Sequence, residues 1–116
     1  MKELSGHTIG IDQGDDVMFS DFEDDGEMWT GSGPRERRKA VQFSRRFQAP
    51  PTVFASLSMW DMDSAANVRA DISTDNVTPE GFELVFRTWG DTRVARARMR
   101  WMAIGALRSE DDWDLY

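Results

Sequence analysis

The chain has 116 residues, 40% of them hydrophobic, which fits one domain with a single core and leaves no room for two. Its net charge of −7 at pH 7 argues against general nucleic-acid binding. The chain has no cysteine, which excludes disulfides and thiolate chemistry, and no apolar run long enough to span a membrane.

Apolar and polar residues alternate with period two along much of the chain, which predicts half-buried β-strands. In chain order, the predicted strands cover residues 8–12, 40–47, 53–60, 68–73, 82–89 and 96–103. Residues 35–40 fit a single helical turn, and Gly/Pro/Asp-rich turns separate the strands. About six short strands with regular turns indicate an all-β fold, an antiparallel β-sandwich over residues 1–108. Residues 109–116 then form an acidic tail.

Charge is segregated along the chain. Residues 12–27 hold eight acids and no base, whereas residues 35–46 hold six bases and one acid. Such blocks are usually solvated faces, and the alternative is that acidic and basic faces of neighbouring subunits meet. Six aspartates in the first block are hard oxygen donors that suit calcium: Asp12, Asp15, Asp16, Asp21, Asp24 and Asp25. Their spacing does not match an EF-hand loop, so we expect no metal site.

Residues for catalysis are scarce. The one histidine, His7, lies near the N-terminus, and neither a Gly-x-Ser-x-Gly elbow nor a glycine-rich phosphate loop is present. Most carboxylates lie in a polar segment where their pKa values should stay ordinary. We therefore expect no enzyme activity and no cofactor.

Two residues suit sugar binding. Trp89 ends a predicted strand beside the Gly90-Asp91 turn, where an indole can stack on the apolar face of a sugar ring. Arg69 lies within the predicted strand 68–73, and its guanidinium can donate two hydrogen bonds to adjacent hydroxyls. The alternative is that Trp89 packs in the core and Arg69 pairs with Asp71. Spacing alone leaves both interpretations open.

A set of short segments, taken in order, resembles the H-type lectin domain family of snail agglutinins and discoidin C-terminal domains. The segments are residues 11–16, Phe43 with Phe47, and residues 50–53, 57–61, 67–69, 77–82, 88–92 and 101–105. They follow the family order over residues 9–105. The resemblance implies a six-stranded antiparallel sandwich that forms a homotrimer, or a dimer of such trimers. It also implies binding of galactose or N-acetylgalactosamine-type glycans at shallow sites between protomers.

The resemblance also assigns site residues. Arg69 matches an arginine that holds sugar hydroxyls, and Trp89 matches a tryptophan that makes the apolar contact. Gly90 stands where the family often has a side chain that helps to bind the sugar, which leaves the preferred sugar open and predicts weaker affinity.

The family also uses a loop residue, commonly an acid, with a neighbouring backbone amide. Alignment backwards from Phe43 puts this position at Ser32 beside Gly31, and alignment forwards from Asp12 puts it at residues 25–27. Trp29, in the same loop, either adds an aromatic wall to the site or closes the sandwich edge.

The last predicted strand bears on the trimer. Arg96, Arg98 and Arg100 share one of its faces, and we expect acidic residues from a neighbouring protomer to relieve their repulsion. The other face carries Ala97, Met99 and Trp101, and we expect one of the two faces to be core and the other to be exposed or interfacial.

A second function is open to the same fold. A structural or assembly protein, such as a phage-particle spike, would keep the trimeric sandwich and reduce or lose the sugar site. The acidic tail 109–116 is then a docking peptide for a larger particle, and otherwise a solvated end. The first residues lack the apolar core of a signal peptide, so we expect non-classical export or residence in an extracellular or virion-like particle.

Overall fold

The computed structural model describes residues 1–6 and 8–108; His7 and the acidic tail 109–116 lie outside the described residues. Within the described part, the chain forms six strands and two short helical turns. They are β1 (Thr8–Ser20), α1 (Asp21–Asp24), α2 (Glu27–Thr30), β2 (Arg35–Gln42), β3 (Thr52–Met62), β4 (Asp71–Asp75), β5 (Gly81–Thr88) and β6 (Val94–Leu107).

The strands form two antiparallel sheets of three strands each. One sheet has the order β1-β6-β3, and the other has the order β2-β5-β4. This confirms the predicted all-β antiparallel sandwich with six strands.

The core lies between the sheets, on the inward faces of β5 and β6. On β6, Ala97, Met99 and Trp101 are buried, as the alternation predicts, and the arginines between them point outward. On β5, the inward residues Phe82 and Leu84 are buried as well. Each large apolar side chain buried in this way contributes about 1.5–3 kcal/mol.

The predicted helical turn at residues 35–40 is wrong. These residues belong to β2, which pairs with β5 from Arg35 opposite Thr88 to Gln42 opposite Gly81. Helical turns lie upstream instead, in α1 and α2. Pairing with β5 along residues 35–42 supplies inter-strand hydrogen bonds, and this contribution overrides the local preference for a helical turn.

Several predicted strand boundaries differ from the structure, and three of the differences are large enough to matter. β2 ends at Gln42 rather than residue 47, because the N–H groups of Phe43 and Phe47 donate to the Glu80 and Pro79 carbonyls in a loop. β1 runs to Ser20 rather than residue 12. β4 begins only at Asp71, so Arg69 lies in the loop before the strand and not within it.

The segregated charges meet within one chain. Asp21 binds Arg37 through two hydrogen bonds of 3.0 and 2.8 Å, and Asp16 lies 3.6 Å from Lys39. The arginines of β6 also have partners in the same chain: Arg96 lies 3.1 Å from Asp61, and Arg100 lies 3.3 Å from Asp15. The idea that these arginines need acids from a neighbouring protomer is therefore wrong.

Candidate functional site

Three loops converge at one end of the sandwich. The loop of residues 89–93 joins β5 to β6, and the segments before β2 and β4 flank it because their strands run antiparallel to β5. The site residues predicted from the sequence belong to these three segments, with Trp29 in α2 and the others in loops. Trp29 and Trp89, however, line two separate cavities.

Arg69 is anchored by Asp91. Its Nη1 donates to Asp91 Oδ1 at 2.6 Å, and Asn67 donates to the same carboxylate from Nδ2 at 3.2 Å. The predicted alternative partner, Asp71, lies instead 3.7 Å from Arg87. We refer to Asn67, Arg69 and Asp91 as the rim cluster.

Two threonines attach the rim cluster to the sheet. Thr88 Oγ1 donates to the Arg69 carbonyl at 2.7 Å, and Thr92 Oγ1 donates to the Asn67 carbonyl at 2.6 Å. Both threonines are buried, and their hydrogen bonds are partly buried. The hydrogen bond from Arg69, followed by that from the Asn67 backbone, lowers the pKa of Asp91 and keeps it ionised.

Gly90 makes the approach of Arg69 possible. Its backbone has φ +68°, in the left-handed region that favours glycine. A Cβ atom at this position would lie 3.0 Å from Arg69 Nη1. The missing side chain therefore creates the space that the guanidinium occupies.

Trp89 lies on the outside of the sandwich. Its side chain is 44% exposed, which excludes the interpretation that it fills the core. It lines an open groove of about 620 Å³ together with Pro34, Ala70 and Arg87, among others. This volume falls in the range of small-molecule sites, roughly 300–1,000 Å³.

Arg35 holds the converging loops together, and the sequence did not predict this role. The residue is 7% exposed, and its five N–H donors bind five backbone carbonyls. Nε donates to Gly33, Nη1 to Glu27 and Met28, and Nη2 to Gly90 and Thr92, at distances between 2.8 and 3.3 Å. These carbonyls belong to α2 and the segment that follows it, and to the 89–93 loop, so one guanidinium fixes the spacing of the two segments.

The loop residues proposed to complete the site have different positions. Gly33 N donates to the Gly90 carbonyl at 2.9 Å, which brings the neighbouring exposed Ser32 to the edge of the site. Gly31 closes α2 and packs against the Arg35 side chain.

Trp29 faces a different cavity from Trp89. Its ring packs edge-to-face on Phe22, and the Arg93 guanidinium lies 4.2 Å from the ring centre. Together with Asp61 it lines a separate cavity of about 320 Å³. Within a single chain, Trp29 therefore adds no wall to the groove beside Trp89.

Aspartates of the acidic segment, residues 12–27, form hydrogen bonds that stabilise the fold. Asp12 accepts hydrogen bonds from Ser44 N and Oγ, and Asp15 accepts one from Ser58. Asp21 accepts the Met28 backbone N–H as well as Arg37. Over residues 1–6 and 8–108, no three acidic or histidine side chains are grouped to hold a metal ion, and no helix is long and apolar enough to cross a membrane.

Sequence reasoning missed Arg35 and Asp91 as site residues. Arg35 is one of six bases between residues 35 and 46, and nothing in that run marks which of them is buried. Asp91 could have been predicted as a site residue, because it follows Gly90 in the predicted turn. Asp side chains in turns commonly accept hydrogen bonds from neighbouring backbone and side-chain donors.

Comparison with known proteins agrees with this architecture. The family model of the H-type lectin domain matches residues 38–104. A protein of Fuscovulum blasticum named "ATP synthase subunits region ORF 7" is 53% identical over 110 residues, covering 95% of this chain and 96% of that protein. A discoidin-1 polypeptide of Dictyostelium discoideum is 35% identical over 75 residues, covering 64% of this chain and 30% of that protein.

The fold also matches solved structures. Recombinant discoidin II of Dictyostelium discoideum superposes with a TM-score of 0.75 at 23% sequence identity, covering 90% of this chain and 39% of discoidin II. The chain thus spans less than half the length of either discoidin. The matched residues 38–104 include β3 to β5, most of β2 and β6, the rim cluster and Trp89. The chain belongs to the H-type lectin domain family.

Proposed function

We propose that this chain is a lectin that binds galactose or N-acetylgalactosamine-type glycans beside Trp89, with Arg69 as the main hydrogen-bond donor. The observation that carries the proposal is an exposed indole, Trp89, in sequence beside Gly90, against which the Arg69 guanidinium held by Asp91 packs. Membership of a lectin family supports carbohydrate as the ligand class. The domain acts by binding alone.

The chemistry of the two groups suits a sugar ring. When the C–H side of a pyranose partly covers the face of Trp89, the buried apolar surface contributes ~25 cal/mol of binding free energy per Å². Arg69 uses Nη1 for Asp91, and its remaining N–H groups bind no other described residue. They are free for ring hydroxyls, while the Asp91 carboxylate can accept from a further hydroxyl.

We further propose that the active form is a homotrimer with a site at each boundary between protomers. Four exposed apolar side chains share the outer face of the β1-β6-β3 sheet: Ile9, Ile11, Phe54 and Met102, which we call the apolar face. Phe54 pairs directly with Met102 across β3 and β6. Exposed apolar patches of this kind mark association surfaces. A trimer would also raise the avidity of a shallow site.

The experiment is a glycan array on the purified protein, followed by titration calorimetry with the best monosaccharide. We expect binding in the millimolar range or tighter, lost in Arg69→Ala and in Trp89→Ala. The matched control is Trp60→Ala, which removes another exposed tryptophan from the opposite sheet and should leave the affinity unchanged. Equal affinities of the Trp89→Ala variant and the wild type would place the site elsewhere.

A second function is an assembly role, such as a particle spike, in which the trimer persists and the sugar site is reduced. Two observations favour it: Gly90 has no side chain to offer a ligand, and Asp91 already occupies one donor of Arg69. If the protein forms a stable trimer but binds no glycan of the array, the assembly function is supported and the lectin function is not.

A further inference from the structure

The groove beside Trp89 extends onto the β2-β5-β4 sheet. Its lining includes Glu36 of β2, Arg87 of β5 and Asp71 of β4, in addition to Trp89. The register places Glu36 opposite Arg87 and Arg87 opposite Asp71, so the three side chains form one row across all three strands. We call these three residues the outer row.

The outer row is rigid and accessible. Arg87 Nε binds Glu36 Oε1 at 2.7 Å, and Arg87 Nη1 lies 3.7 Å from Asp71 Oδ2 and donates to Ser73 Oγ at 3.2 Å. The three ionised side chains nevertheless keep 40–58% of their surface exposed. Arg87 Nη2 makes no hydrogen bond to any described residue, so it remains free for a ligand.

The charge of the groove indicates a neutral ligand. Its lining holds two bases, Arg35 and Arg87, and two acids, Glu36 and Asp71. Arg35 is fully occupied by backbone carbonyls, and Arg87 is neutralised by two carboxylates. A surface that alternates donors and acceptors without net charge, beside an indole, suits a polyhydroxylated ring rather than an ionic group.

From this arrangement we infer that the outer row is a second saccharide subsite, so that the protein reads at least two linked sugar units. The inference rests on the proposed function. Arg87 and Trp89 are two residues apart at the end of β5, about 6.6 Å along an extended chain, a spacing similar to the length of one pyranose unit. A sugar on Trp89 and the rim cluster therefore places its linked neighbour over Arg87.

The test compares a terminal monosaccharide with di- and trisaccharides that carry it at the non-reducing end. Calorimetry on the full chain should show at least one oligosaccharide binding about tenfold more tightly than the monosaccharide, as expected for hydrogen bonds to charged groups. In Arg87→Ala this gain should fall to about twofold or less, while the monosaccharide affinity stays unchanged. Arg87→Lys keeps the charge but lacks the planar fork, and it should lose the gain as well.

The matched control is Arg46→Ala. Arg46 pairs with Glu80, which does not belong to the outer row, and it lies outside the groove. This variant should keep both affinities. If no oligosaccharide exceeds the monosaccharide, or if Arg87→Ala keeps the full gain, the second subsite is refuted and the lectin function stands. If neither monosaccharide nor oligosaccharide binds, the lectin function fails and the subsite with it.

Discussion

Arg69 Nη1 and Asp91 Oδ1 lie 2.6 Å apart, although the two residues are separated by 22 positions in the chain. The guanidinium also packs against Gly90, where a Cβ atom would lie 3.0 Å from Nη1. Asp91 also accepts hydrogen bonds from the Asn67 backbone and side chain, so one carboxylate fixes the loop that carries Arg69. The position of Arg69, the proposed hydrogen-bond donor to the sugar, therefore depends on Asp91, whether or not Asp91 itself contacts the sugar.

A side chain at residue 90 should disturb Arg69. Gly90→Ala places a Cβ 3.0 Å from Arg69 Nη1 at φ +68°, so it adds steric displacement to backbone strain of about 1–2 kcal/mol. The matched control is Gly33→Ala, which has φ +74° and no atom within 4 Å of the added Cβ. Both variants should lose similar stability in urea unfolding, but only Gly90→Ala should weaken sugar binding. Equal affinities of the two variants would contradict a steric role for residue 90.

The ionisation of Asp91 should set the acid limit of binding. The pKa of Asp91 in the folded chain is lowered, chiefly by the hydrogen bond from Arg69. The stability that the ionised carboxylate gives to the folded site is therefore fully present above the ordinary carboxylate pKa of about 3.9. This stability is lost as the pH falls through the lower pKa of the folded chain. We expect constant sugar affinity from pH 7 to about 5, and ¹³C NMR of the Asp91 carboxyl should show no titration in that range. A titration midpoint of the Asp91 carboxyl near pH 6 would contradict the ion pair with Arg69. The Asp91→Asn variant should bind sugar weakly at every pH.

Loss of Arg35 should destabilise the whole end of the sandwich. Arg35→Met removes the donors of five backbone carbonyls, and unpaired buried groups cost about 1–3 kcal/mol each before water re-enters. We expect the free energy of unfolding to fall by about 3–5 kcal/mol, as when a buried charged network loses a member. Urea unfolding measures this, with the exposed Arg38→Ala as control. Equal midpoints for the two variants would show that the carbonyls find other partners.

The proposed trimer should depend on the apolar face. Phe54 is 67% exposed on the edge strand β3, opposite Met102 of the central strand β6. Phe54→Ser should convert a species of three times 13.3 kDa into monomer in sedimentation velocity. Phe22→Ser is the control, because Phe22 is 58% exposed on α1, away from the β1-β6-β3 sheet face. A wild-type chain that sediments as a monomer would refute the trimer directly.

The sequence by itself determined the all-β class and which residues of the central strands share a face. The alternation in residues 82–89 and 96–103 predicts β5 and β6 and puts Met99 and Trp101 on the same face, because a period of two directs neighbouring side chains to opposite faces. The turn at Gly90-Asp91 was also readable from local chemistry, and the ordered family segments indicated the family. Each of these properties depends on residues close together in the chain.

Only the tertiary structure decided how the site is built. Arg69 binds Asp91 rather than Asp71, and Arg35 is buried while Arg38, three residues later, is a surface residue. The partners of Arg35 lie up to 57 residues away, on a loop whose position is set by the pairing of β2 with β5. The sequence also did not decide whether Trp89 is buried or exposed, because the side chain at the end of a strand can point to either face of the sheet. Identical local patterns thus acquire different roles, since hydrogen-bond partners and burial are fixed by which loops the packed sheets bring together.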